Sequence, residues 1–89
     1  MARIFNIYFV YDNELHNAIV SVRSTPFFTE YILGNLDAEV RSLLPGNCIV
    51  STLPGSLVFK DANDKHPSQL MEAILQSLAR HLQASHTSL

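Results

Sequence analysis

Asp12-Asn13-Glu14-Leu15-His16 sets two carboxylates and an imidazole at alternate positions, between two stretches of alternating apolar residues. On a continuous strand, alternate residues share one face. Asp12, Glu14 and His16 would then stand in line as acid, acid and base, the groups that general acid–base chemistry uses. Tyr8, just upstream, adds a phenol to the same region. The competing explanation is plain: polar side chains at the tip of a hairpin are what solvation demands. Tyr8, Asp12, Glu14 and His16, joined by Tyr31, are the candidates for a ligand or interface site.

Other chemistry has less to stand on. The four histidines and the single Cys48 have no metal-ligand spacing; His81 and His86, five apart, do not stack on one helix face. Asp61 and Asn63 fit the first two positions of a calcium loop, but Lys65 takes the third and no glycine follows where the loop must turn. Cys48 has no neighbouring cation or helix N-terminus in the sequence to activate it and reads as a small buried hydrophobe. Ser56 follows Gly55 outside any nucleophile-elbow pattern, and Gly46 and Gly55 lead into strands, not phosphate-binding helix N-termini. Thr87-Ser88-Leu89 resembles a PDZ ligand, a match too short to carry a function. No metal and no cofactor is implied, and the residues lean away from an enzyme.

The elements that must position these groups follow from periodicity. Arg3–Tyr11 alternates and is rich in aromatic and β-branched residues, and Asn17–Arg23 alternates again, so the first 23 residues read as a β-hairpin bent at Asp12–His16. Pro26 breaks the pattern, and Phe27–Leu33 reads as a third strand stopped by Gly34-Asn35. Within 35–46, Leu36, Val40, Leu43 and Leu44 share a face behind the candidate caps Asn35 and Asp37; this is a two-turn helix ended by Pro45-Gly46.

A second hairpin follows, from Asn47–Thr52 and Ser56–Lys60, with a bend of three to five residues at Leu53-Pro54-Gly55. Leu44-Pro45-Gly46 and Leu53-Pro54-Gly55 spell the same triplet but read as different turns, so Leu44 should be buried and Leu53 exposed. Asp61–Ser68 is a polar connection, with Pro67 suited to the first turn of the next helix. From Ser68 to Gln83, Met71, Ile74, Leu75, Leu78 and Leu82 form the stripe of an amphipathic helix, and 84–89 reads as a frayed tail.

The expected fold is α+β: an antiparallel sheet of four to five strands, with one short middle helix and one C-terminal amphipathic helix packed on one sheet face, in a single domain over 1–83. One helix covers one face. The other face should then show apolar or aromatic side chains, Tyr8 and Tyr31 among them.

Composition narrows the function. With 89 residues, 47% hydrophobic and only 16% charged, the chain carries much apolar surface for its size. The six basic residues are scattered singly and the net charge is −2, which counts against nucleic acid. No apolar run approaches the ~20 residues of a membrane span, no export signal is evident, and a lone cysteine suits the reducing cytoplasm. The leading expectation is a non-enzymatic binding or assembly module that self-associates as a homodimer, or takes another protein partner, through an apolar sheet face or an edge strand. Alternatives are a small-ligand or enzymatic site near the first hairpin, and single-stranded nucleic-acid binding by sheet aromatics.

Overall fold

The computed structural model describes residues 3–53, 56–61 and 68–87, with side chains in the last segment from 69 to 83. The expected bend at Pro54-Gly55, the calcium-loop residues beyond Asp61, Pro67, His66 and the terminal Ser88-Leu89 lie outside these residues, as do the side chains of His86 and Thr87.

Seven elements follow one another: β1 (Arg3–Tyr11), β2 (Glu14–Ser24), β3 (Thr29–Gly34), α1 (Ala38–Leu43), β4 (Cys48–Ser51), β5 (Val58–Phe59) and α2 (Ser68–Thr87). The strands form one antiparallel sheet in the order β1-β2-β3-β4-β5, so each strand lies beside its sequence neighbour and α1 bridges β3 to β4. The α+β architecture expected from the periodicity is the one observed.

The first turn is tighter than expected. Tyr11 pairs with Glu14, leaving Asp12 and Asn13 as a two-residue connection with φ of 55° and 62°. Positive φ at both centres defines the type I′ turn, whose twist matches that of the strands, and Asp and Asn are among the few residues that tolerate it. Glu14 and His16 are therefore strand residues, not loop residues. Asn35 takes the same left-handed conformation, φ 57°, at the exit from β3.

Four other boundaries shift. β3 begins at Thr29, because Thr25 folds the preceding residues into a turn: its hydroxyl accepts from the Phe28 amide at 3.0 Å and donates to the Phe28 carbonyl at 2.8 Å. Phe27 is thereby left outside the strand, 83% exposed. β5 is reduced to two residues, and the loop between β4 and β5 runs from Thr52 to Leu57, longer than a three- to five-residue bend. α2 continues to Thr87, through the first residues of the expected tail. Leu44 is buried and Leu53 exposed, as their two kinds of turn require.

The pleat sorts the side chains. Ile7 and Phe9 of β1, Ala18 and Val20 of β2, Leu33 of β3 and Ile49 of β4 point to one face and are buried. Onto them pack Leu70, Ile74 and Leu78 of α2, each fully buried at four-residue spacing, while Met71, Leu75 and Leu82 flank the contact. α2 lies chiefly along β1. The Phe5 and His81 rings stack at 4.0 Å, and the Ser77 hydroxyl donates to the Tyr8 carbonyl at 2.6 Å, satisfying an acceptor on the outer strand.

Tyr31 corrects the sequence reading. It pairs with Val22 and Ile49 and is buried on the helix-facing side, not displayed on the open one. Leu33 shares its parity and Glu30 has the opposite parity, so placing Leu33 in the core necessarily brings Tyr31 with it.

Two stability outcomes follow. Leu78→Ala should cost about 2–5 kcal/mol in urea unfolding, the range for emptying a closed apolar site. Asn13→Val, which puts a branched side chain at positive φ, should cost roughly 1–2 kcal/mol, whereas Asn13→Gly should cost nothing.

Candidate functional site

Register decides which of the candidate residues meet. His16 faces inward opposite Phe9, and the two rings stack at 5.4 Å. Its side chain is 10% exposed. Nδ1 lies 3.0 Å from the Asp37 carboxylate and Nε2 lies 3.3 Å from the Tyr11 carbonyl oxygen. Both partners only accept, so a neutral ring can donate to one of them and a doubly protonated ring to both. A general base needs a ring nitrogen open to substrate, and both nitrogens of His16 face protein oxygens.

The other members of the hairpin cluster are dispersed. Asp12 sits in the turn and Glu14 at the start of β2, both exposed, while Tyr8 projects from the opposite face of the sheet. Tyr31 is in the core. The acid–acid–base line read from alternate positions does not form, because the two-residue turn takes Asp12 off the strand. His16 finds a carboxylate, but it is Asp37, 21 residues away in sequence. Among the described residues no group of three metal-ligating side chains gathers.

What the sheet does assemble is its open face. Ile4, Tyr8 and Val10 of β1, Leu15 of β2 and Val58 of β5 project there, each between 51% and 71% exposed. Ile19, Ile32 and Val50 lie half-buried between them. The polar residues among them satisfy one another: Asn17 Nδ2 donates to Asn6 Oδ1 at 3.1 Å and to the Ile7 carbonyl at 3.2 Å. Large apolar groups exposed in this number make this face the candidate site.

The ionic groups of this face gather at one end. Arg23 pairs with Glu30 across β2 and β3, and its Nε and Nη2 both donate to Oε1. The thiol of Cys48, one strand over, donates to Oε2 at 3.5 Å. Glu30 is only 4% exposed. The Arg23 guanidinium holds its carboxyl below the usual carboxylate range, outweighing the desolvation that pushes the other way, and the Lys60 charge assists. Burial, and then the hydrogen bond to Glu30, pushes the Cys48 thiol up. A thiol so placed is a poor nucleophile, since the thiolate would form beside a carboxylate.

Sequence reading placed Cys48 on a strand but missed its link to Glu30 and Arg23. The three come together only when β2, β3 and β4 are in register. The one available signal was Glu30, a charged residue within an apolar strand, which needs a cation beside it.

Because the folded-state pKa of Glu30 is depressed, its stabilisation is present above the ordinary carboxylate range and is lost as pH falls through the lower folded value. Glu30→Gln should therefore flatten the acid limb of a stability-versus-pH profile measured by urea unfolding. The same variant should speed alkylation of Cys48 by iodoacetamide at mildly alkaline pH, since it removes the negative charge beside the thiol. An unchanged rate would show that Glu30 does not govern the thiol. No family model, curated protein or solved structure matches the chain, so its function is argued from this surface alone.

Proposed function

We propose that this protein is a non-enzymatic assembly module that forms a homodimer by packing the open faces of two sheets together. The observation that carries the reading is the set of exposed apolar side chains on that face: Ile4, Tyr8, Val10, Leu15 and Val58.

The area suits a partner of this size. β1, with nine residues, runs about 30 Å, and five strands span about 20 Å. In outline this is about 600 Å² before the taper towards the β1–β2 turn, at the lower limit of the roughly 600–1,000 Å² per partner that specific interfaces bury. Charge also favours a second copy. The described ionic side chains of the face, Arg23 of β2 included, cluster around Glu30 at one end, and the outward residues of Ile4–Val10 and Leu15–Ser21 carry no charge. Two identical copies can therefore meet over that portion without like-charge repulsion, as a two-fold interface demands.

The face is a better contact than either edge. β5 offers two residues for strand pairing, and on β1 the Tyr8 carbonyl is already engaged by Ser77. Short or covered edges are how sheets avoid edge-to-edge pairing.

Sedimentation at micromolar concentration should give a dimer, and Tyr8→Lys combined with Leu15→Lys should return it to monomer with unchanged circular dichroism. Both substitutions lie at exposed positions, so the fold should tolerate them. Cys48, the single thiol, is on the same face and should label more slowly as protein concentration rises. A wild-type chain that remains monomeric throughout this range overturns the reading.

A further inference from the structure

Asp37 occupies the N-cap position of α1, yet its side chain makes no capping hydrogen bond. Its carboxylate is turned instead to His16 Nδ1, 3.0 Å away. The backbone of Asp37 is already extended, φ −57° and ψ 144°, as at capping residues in general. From that conformation, rotation of the side chain alone would aim it at the amides of Glu39 and Val40, the second and third residues of the helix and the usual donors to a cap. One carboxylate therefore has two competing partners within reach.

We propose that the proton on His16 decides between them. With His16 doubly protonated, Asp37 and the Tyr11 carbonyl both accept from the ring, and β1, β2 and the start of α1 are clasped together through one side chain. When the ring loses its Nδ1 proton and keeps the one on Nε2 for the Tyr11 carbonyl, Nδ1 becomes an acceptor facing the carboxylate, and that contact turns from attraction to repulsion. Asp37, 71% exposed and free to swing, then caps α1. The element with two states is a single side-chain rotation, and histidine charge biases it.

The surroundings agree. The titratable and charged groups carried by the elements around His16 are Arg3, Tyr8 and Tyr11 on β1, Asp12 at the turn, Glu14 and Arg23 on β2, and Asp37, Glu39 and Arg41 on and before α1. The cations stand away from the ring: Arg3 and Arg23 at the ends of β1 and β2 remote from their shared turn, and Arg41 in the last turn of α1. Capping of α1 is the alternative outlet for the same negative charge, since a helix N-terminus carries partial positive charge.

The test is an NMR titration of ¹⁵N-labelled protein between about pH 5 and 8, the range in which histidines change charge. At the acidic end, both His16 ring nitrogens should carry protons. As the ring titrates, the Glu39 and Val40 amides should move downfield in step with it, reporting the new hydrogen bond. His16→Phe retains the stack on Phe9 and removes the competitor, so those amides should hold their capped positions at every pH. Asp37→Asn, an exposed change to an equally good cap, should do the same and serves if the core variant does not fold. Glu39 and Val40 amides that stay still while His16 titrates, or that shift equally in the variants, overturn the proposal. So does a ring that is singly protonated throughout.

Discussion

The docking of α2 on β1 is the contact on which the other features of the molecule depend. Leu70, Ile74 and Leu78 disappear completely into the sheet, so the long helix is committed to one face. Its burial removes several apolar side chains from water, each worth roughly 1.5–3 kcal/mol. Nothing comparable among the described residues covers the other face. The inner face thus becomes core and the outer face remains a surface, and the distinction reaches every strand through the pleat.

Polar groups on each face reflect that division. Inside, His16 has little access to water and finds protein partners for both ring nitrogens, in the Tyr11 carbonyl and the Asp37 carboxylate. Outside, Glu30 is covered by its neighbours and takes donors from Arg23 and Cys48 on either flanking strand. Desolvated polar groups that keep their hydrogen bonds specify register, since a one-residue slip would separate them. Both networks join residues far apart in sequence, and both hold adjacent elements in place. They are better understood as fasteners than as reactive centres: both ring nitrogens face protein oxygens in the first, and burial and the Glu30 contact push the thiol up in the second.

This arrangement is the ground on which we propose assembly. The polar side chains that could have formed a hairpin site point to different sides of the sheet, while the apolar ones converge. Association would place Ile4, Tyr8, Val10 and Leu15 in the same chemical environment that Ile7 and Phe9 already enjoy on the inner side. The short β5 and the Ser77 contact on β1 direct such association to the face.

Alternation over Arg3–Tyr11, the four-residue spacing of Ile74 and Leu78, and the turn residues at Asp12-Asn13 and Pro45 determined the elements and the α+β class by themselves. Those signals are local: each depends on which side chains a strand or helix brings to one side, and on which residues accept positive φ or end a helix. Tertiary structure alone decided that Tyr31 is core, that Asp12 leaves the line of Glu14 and His16, and that Arg23, Glu30 and Cys48 meet. Each of these depends on strand pairing and on the face α2 covers. Alternation sorts residues into two sets but does not say which set is buried; packing a helix against one of them does.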